Sequence, residues 1–475
     1  MFDKILIANR GEIAVRIIRT CREMGIHTVA IYSDIDTDAL HVKLADEAHP
    51  VGPAEPAQSY LNMEAILNIA EKSGTEAIHP GYGFLAENPD FAEMCENRGI
   101  AFVGPPSRCM YKAKPKHKAR QLMSMINVPI VPGSGEAIEN STERGWSQAL
   151  EVAETIGYPV VVKPSGTGGG IGMMVARDRE QLKSAVEYAE KRGKRAFGMS
   201  AFYIEKLLTG IRHVEFQVLA DTKGNVIHLG DRDCSIQRRF QKLIEETPCP
   251  VLTPFLRMKM AVAAMEVARV LQYINALTVE FLYSPETQEF YFNEINSRLQ
   301  VEHCITELVT RIDIVKQQIR IAAGEELGYT QDDIRFGTHA LECRINAEDP
   351  FHGFLPSSGT ISRLRFPHGL GIRIDEGVYE DYEVPFYYDS LLVKLATWGK
   401  TRDEAIGRMR RALGEMVVEG IQTTLPFHRE VMQDEQFQRG QYTTAFVEER
   451  GIVEKLKRHK ENQDELSRGS RQTSS

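Results

Sequence analysis

The chain predicts an α/β protein in three parts: an N-terminal doubly wound parallel sheet, a central α/β region and a C-terminal α+β region. Two observations carry this. Lys4 to Ala8 is a short apolar strand, Asn9-Arg10-Gly11-Glu12 a turn, and Ile13, Ile17, Ile18 and Cys21 the apolar stripe of a helix. His27 to Tyr32 is the next strand. That order packs as a parallel β-α-β unit. From 340 to about 450, short strands joined by Gly and Pro turns come first and helices follow, the order of an α+β region. A chain of 475 residues also exceeds one ordinary domain.

Taken in order, the first strand leads into a turn without G-x-G-x-x-G, so no dinucleotide fingerprint is present. The pattern continues to Ala77-Ile78-His79-Pro80-Gly81-Tyr82-Gly83-Phe84, a strand end running into a glycine turn. Ligands of such sheets collect beyond the carboxyl ends of strands, although the same residues also suit a plain turn. Pro105-Pro106 and Pro115 interrupt the pattern, as do Gly324, Gly328 and Gly337. The expected parts are therefore 1–113, 114–335 and 336–450. A charged tail, 453–475, is predicted as a frayed helix and then disorder from Ser467.

Tyr158 to Lys163 reads as a buried strand ending in a lysine. It enters Ser165-Gly166-Thr167-Gly168-Gly169-Gly170-Ile171-Gly172, and a strand from Met173 to Ala176 follows. Clustered glycines let backbone N–H groups approach a phosphate closely, and Lys163 adds a point charge. No Gly-Lys-Ser/Thr closes the loop, so it is not a Walker loop; a flexible linker has the same composition. Lys112, Lys114, Lys116, Lys118 and Arg120 form a second basic cluster, which reads mostly as a solvated helix start. Arg238-Arg239-Phe240-Gln241-Lys242 follows Asp231-Arg232-Asp233 closely enough to suggest an ordered charge network.

Residues 294–303 read Glu-Ile-Asn-Ser-Arg-Leu-Gln-Val-Glu-His. With strand alternation, Glu294, Asn296, Arg298, Gln300 and Glu302 share one face. That face suits a cation and a small anion together, or simply a solvated edge. Thr278 to Leu282 is a second strand, and Ser284 to Gln288 is a turn by composition. A hairpin centred near Thr287 places Glu280 opposite Glu294. Two facing carboxylates repel unless a cation lies between them, and hard oxygen ligands suit magnesium.

Hydrophobic content of 42% and charged content of 26% are those of a globular protein. A net charge of −9 disfavours a nucleic-acid partner. No apolar run reaches the length of a membrane span, and the start has no signal-peptide layout. Seven scattered cysteines without a C-x-x-C pair suggest a reducing, cytoplasmic setting. Met258-Lys259-Met260 has the look of a biotinylation motif, but it sits inside a helix-patterned stretch, Phe255 to Leu271.

From Lys4 to about Arg450 the chain resembles the biotin carboxylase component of biotin-dependent carboxylases, an ATP-grasp family. The resemblance rests on Ala8–Ala14, His79–Leu85, Lys163 with its glycine loop, Arg212–Glu215, Gln237–Arg239, Glu294–His303 and Glu342–Pro350. It implies a central ATP-grasp domain with a mobile lid at about 135–205, between N- and C-terminal biotin carboxylase domains. It implies carboxylation of biotin from ATP and bicarbonate through carboxyphosphate. Lys116, Lys163, Gly168, Gly169, Gly170, the Glu205-Lys206-Leu207-Leu208 backbone, His213 and Gln237 correspond to ATP contacts. Glu280, Glu294 and Asn296 correspond to the Mg2+ (or Mn2+) site. Lys242, Arg298, Gln300 and the Val301 amide correspond to the bicarbonate pocket, Glu302 to the general base, and Arg344 to the cation that stabilises the biotin enolate. Biotin would arrive on a separate carrier protein, a carboxyltransferase would complete the system, and a homodimer is expected. The chain departs from the family pattern at Pro115, Ile171, Phe240, Cys304 and Tyr273–Leu277. Two rival functions remain: an ATP-grasp ligase acting on another acid, and a carrier-binding protein that has lost catalysis.

Overall fold

The computed structural model describes the chain except residues 114–115, 140–142, 165–172, 198–200 and 473–475, and except the side chains of 116–119, 121, 143, 195–197 and 463–472. Strands β1 (Lys4–Ile7), β2 (His27–Ser33), β3 (Glu47–Gly52), β4 (Ala77–His79) and β5 (Ala101–Phe102) form a parallel sheet in the order β3-β2-β1-β4-β5. Alternation decides how it is covered. Ile5 and Ile7 pack on Ile13 and Ile17 of the helix Gly11–Glu23, while Leu6 and Ala8 pack on Ile66 and Leu67 of the helix Met63–Lys72. Both faces are thus buried, as a parallel sheet requires. The helix Gly11–Glu23 also buries Glu12 and Arg16, two charges its apolar stripe did not announce. Asn9 donates its amide to Pro80 O at 2.7 Å and Tyr82 O at 2.8 Å, which ties the first turn to the glycine turn beyond β4. Gly81 is required there: a Cβ would lie 2.9 Å from Ile13 Cγ1, on backbone at φ 63°.

Next come β6 (Ile138–Glu139), β7 (Val160–Pro164), β8 (Met174–Ala176) and β9 (Ala201–Lys206). They form an antiparallel sheet in the order β6-β9-β7-β8. Its core includes Ala149 and Ala153 of the helix Glu143–Ile156 and Leu182, Ala185 and Val186 of the helix Arg179–Phe197. The predicted strand–loop–strand is present, with Val160 opposite Ala176. Its loop, with Gly168, Gly169, Gly170 and Ile171, lies outside the described residues, as does Pro115.

The largest sheet has eight strands. It comprises β10 (Arg212–Ala220), β11 (Val226–Arg238), β12 (Gln241–Thr247), β13 (Asn275–Ser284), β14 (Glu289–Asn296), β15 (His339–Asn346) and the strands Leu391–Gly399 and Ile372–Glu376. Their order is β14-β13-β10-β11-β12-β15-(391–399)-(372–376). β12 pairs with β15, Ile244 opposite Cys343, so one hydrogen-bonded sheet runs through the expected 335/336 boundary. The helix Pro254–Leu271 contains Met258-Lys259-Met260, as its periodicity predicts, with Thr253 as N-cap. The C-terminal helix spans Ile452–Gln472, past Ser467 where the sequence predicts disorder, and its start docks in the C-terminal core through Ile452 and Leu456. Among the described residues no helix is long and apolar enough to cross a membrane.

Candidate active site

A row of charges crosses the large sheet. Glu294 stands opposite Glu280 across β14–β13, Glu280 opposite Glu215 across β13–β10, and Glu215 opposite Arg232 across β10–β11. Residues directly opposite share a face, so three carboxylates and a guanidinium line one wall. The predicted pairing of Glu280 with Glu294 depends on a register shift. Phe281 pairs with Phe292 near the turn, and an extra residue, Asn293, then brings Glu294 opposite Glu280. Such a bulge re-aims side chains. Asn293 Nδ2 lies 3.3 Å from Glu280 Oε2.

The expected strand alternation through Glu302 is corrected here. β14 ends at Asn296, and Ser297–Val301 form a turn that leads to Glu302 as N-cap residue of the helix His303–Thr310. The ladder with β13 stops at Thr278–Asn296, so the turn rather than a strand face gathers the polar groups. Arg298 organises it. Its Nη1 donates to Gln300 Oε1 at 2.8 Å and to Leu299 O at 3.1 Å, and its Nη2 donates to Asn296 Oδ1 at 3.1 Å. Its Nε lies 3.1 Å from Glu87 Oε2, and Ser297 N donates to Glu87 Oε1 at 3.1 Å. Glu87 therefore brings the glycine turn of the first domain to the site. Sequence reasoning singled out that turn but not this residue. Gln300 is buried, and its Nε2 finds no hydrogen-bond partner among the described residues. A buried amide donor left unmet fits an absent anion.

Glu302 is fully buried. Its Oε1 accepts from Lys242 Nζ at 2.8 Å and its Oε2 from Arg344 Nη2 at 3.0 Å; Cys234 Sγ lies 3.6 Å from Oε1. Burial pushes the carboxyl up, but Lys242, Arg344 and Arg232 hold it well below the usual carboxylate range. Lys242 also reaches Glu215 at 2.7 Å and Glu280 at 3.0 Å. Burial opposes its charge, yet Cys234, Glu215, Glu280 and Glu302 raise it well above an ordinary lysine. Arg344 Nε donates to Glu245 Oε1 at 2.6 Å. Burial raises Glu245 to about 7, against the pull of Arg344. The structure thus brings Lys242, Arg298, Gln300, Glu302 and Arg344 together, and adds Glu87, Glu215, Arg232, Cys234 and Glu245.

On the other side of the row, His213 Nε2 lies 3.0 Å from Glu280 Oε2, and its Nδ1 is 2.8 Å from Gln237 Nε2. Burial raises the Glu280 carboxyl, but His213 and Lys242 hold it well below the usual range. Lys163 and Arg120 converge on the Glu205 carboxylate, Arg120 Nη1 at 2.8 Å. Of the basic cluster, Lys112 is exposed and Arg120 is buried. Lys206 Nζ donates to Gly157 O and Tyr158 O, each at 3.0 Å, and its amide donates to Pro132 O. Its ammonium therefore ties the β9 end to the Gly157–Tyr158 turn. Leu208 is half-buried just past β9. Lys116 starts the helix Lys116–Met125, and its side chain lies outside the described residues. Phe240 is 60% exposed at the tip of the β11–β12 hairpin, where Arg239 and Phe240 both have positive φ. Cys304 is buried against Glu342. Tyr273 is buried with its hydroxyl on Ala276 O at 3.0 Å.

The donor set fits a hard dication. Glu280 and Glu294 supply facing carboxylates, and oxygen ligands suit magnesium. Asn296 contributes differently: its Nδ2 donates to Glu280 Oε1 at 2.9 Å while its Oδ1 accepts from Arg298. It joins the Glu280 carboxylate to the Arg298 guanidinium.

Residues 1–110 match the family model "Biotin carboxylase, N-terminal domain", 115–330 match "Carbamoyl-phosphate synthase L chain, ATP binding domain", and 342–449 match "Biotin carboxylase C-terminal domain". The chain is 52% identical over 448 residues to biotin carboxylase 1 of Bacillus subtilis, covering 94% of this chain and 98% of that protein. It is 47% identical over 464 residues to the 2-oxoglutarate carboxylase small subunit of Hydrogenobacter thermophilus, covering 98% and 97%. A solved biotin carboxylase domain dimer of Hydrogenobacter thermophilus 2-oxoglutarate carboxylase, in complex with MgADP, ADP and bicarbonate, superposes with TM-score 0.91 at 47% identity, covering 95% of this chain and 98% of that one. With relatives this similar over nearly their whole length, the chain belongs to the biotin carboxylase family.

Proposed function

We propose that this chain carboxylates biotin borne on a separate carrier protein, using ATP, Mg2+ (or Mn2+) and bicarbonate through carboxyphosphate. The observation that carries the reading is the convergence of Lys242, Arg298, an unmet Gln300 amide and a buried ionised Glu302 beside facing acids. Arg298 offers a planar fork to a planar oxyanion. Glu302, held ionised, takes the bicarbonate proton, and its proximity supplies much of the advantage. Lys242 stands where charge builds on the anion as its oxygen attacks the γ-phosphorus and ADP leaves. Glu280 and Glu294 would hold Mg2+, which would supply positive charge to the phosphoryl oxygens. Carboxyphosphate then breaks its C–O bond to give carbon dioxide and phosphate. Phosphate accepts the ureido N–H proton of biotin, and the biotin enolate, beside Arg344, attacks carbon dioxide.

Lys116, Lys163, the glycine loop with Gly168, Gly169 and Gly170, the Glu205–Leu208 backbone, His213 and Gln237 hold the nucleotide in this reading, with the β6–β9 sheet as lid. Val301 offers its amide to the anion. A carboxyltransferase on another polypeptide, a homodimeric state and a cytoplasmic setting complete the proposal; buried, unpaired cysteines suit the last. The test is ATP cleavage by the purified chain. It should require bicarbonate and Mg2+ and quicken with free biotin. Cleavage that proceeds equally without bicarbonate, or that needs another acid, would favour the rival ligase.

A further inference from the structure

Lys394 lies in the strand Leu391–Gly399 with no exposed surface. It is directly opposite Arg344 on one side and Asp375 on the other. Two cations facing across a ladder repel, and burial alone disfavours a charged lysine. The arrangement therefore calls for compensation, and three elements supply it. Glu12 of the helix Gly11–Glu23 places Oε2 3.0 Å from Lys394 Nζ. Asp375 lies 3.7 Å away and is itself fixed by Arg373 at 2.9 and 2.8 Å. A third partner is the site itself: Lys394 Nζ donates to the Val301 carbonyl at 3.1 Å.

We infer that Lys394 is a positioning residue for bicarbonate activation, fixing the peptide that joins Val301 to Glu302. The turn 297–301 has no ladder bonds to hold it, and β14 ends at Asn296. The carbonyl of Val301 and the amide of Glu302 share one plane, so gripping that oxygen sets where the base starts. The Val301 amide, on the same residue, is set with it. Because Glu12 anchors the ammonium from the first domain, three regions of the chain must dock before the turn takes its shape: the helix Gly11–Glu23, the strand Leu391–Gly399 and the loop after β14. The inference rests on the bicarbonate reading of Lys242, Arg298, Gln300 and Val301.

Lys394→Met alone strands the Glu12 charge, so the decisive variant is the neutral pair Glu12→Gln/Lys394→Met. Kinetics with varied bicarbonate, MgATP affinity and the melting transition are measured together. The double variant should melt as a folded protein and bind MgATP within about twofold of the parent. Its kcat/KM for bicarbonate should fall by about 10- to 100-fold, the scale of a small misplacement of a reacting group. Recovery of parental kcat/KM would show that Lys394 only balances Glu12, and would overturn the inference. So would a double variant that lost nucleotide binding or its melting transition together with bicarbonate use. The parent chain is the separate control: bicarbonate-independent ATP cleavage there overturns the bicarbonate reading itself.

Discussion

The two faces of the eight-stranded sheet both bury charge, but they neutralise it differently. Neighbouring residues on a strand point to opposite faces, so Asp233 and Glu246 lie on one face and Arg232 and Glu245 on the other. On the first face each acid has its own partner. Glu246 accepts two bonds from Arg402, at 2.6 and 2.9 Å, and one from the Tyr442 hydroxyl; Asp233 pairs with Arg212 at 2.6 Å. On the second face the cations are shared. Lys242 serves Glu215, Glu280 and Glu302, and Arg344 serves Glu245 and Glu302. Glu294 and Glu342 add further acid to the same wall. Dedicated pairing reads as architecture. Shared pairing leaves a surplus of acid that a dication can complete, and this marks the site better than burial or charge alone.

The largest effect expected on this comparison comes from Glu302→Gln. It should lower bicarbonate-dependent ATP cleavage by roughly 10²- to 10⁴-fold, as loss of a general base does, while a nucleotide titration stays near the parental curve. On the opposite face, Glu246→Gln breaks a buried pair and should cost about 3–5 kcal/mol of stability, read by denaturant unfolding, with activity per folded molecule retained. If Glu246→Gln abolished turnover in the folded protein, the division of labour between the faces would be wrong.

The pH dependence of stability sharpens the comparison. Glu342 faces Glu245 across β12–β15, and burial together with Glu245 raises Glu342 to about 8, against the pull of Lys394 and Arg344. A folded pKa above the unfolded value contributes stability that is present below about 4.5 and lost as pH rises towards about 8. Unfolding of the parent and of Glu342→Gln is therefore compared at pH 6 and pH 9. The variant should lose less stability across that interval; equal losses would remove the surplus-acid argument at this position. The smallest effect belongs to Glu87→Gln. Its pair with Arg298 is partly exposed, so a few-fold rise in the KM for bicarbonate is expected, with kcat nearly unchanged.

Local patterns made part of this legible. The β-α-β opening follows from apolar spacing, and the turn at Ser284–Gln288 sets the hairpin to within one residue of the Glu280–Glu294 pairing, which the bulge at Asn293 completes. The same periodicity misled beyond Asn296, because nothing local shows that the ladder with β13 ends there. Glu87 stayed hidden, and Glu215 and Arg232, though they stand in stretches the sequence singles out, received no role, because all three meet the site across strands or domains and one sequence gives spacing along the chain only. Lys394 left a faint trace, a lone lysine between Val393 and Leu395 in an apolar strand. Family resemblance assigned roles to Glu302, Arg298 and Arg344, but not the sharing of Lys242 among three acids.

The most direct test of that sharing is Mn2+ binding in the presence of ADP, followed by electron paramagnetic resonance, for the parent, Glu280→Gln and Glu246→Gln. The account predicts that Glu280→Gln weakens Mn2+ binding by about tenfold or more, a loss of at least ~1.4 kcal/mol, while Glu246→Gln stays within about twofold of the parent. Parental Mn2+ affinity in Glu280→Gln, or equal weakening in both variants, would contradict it.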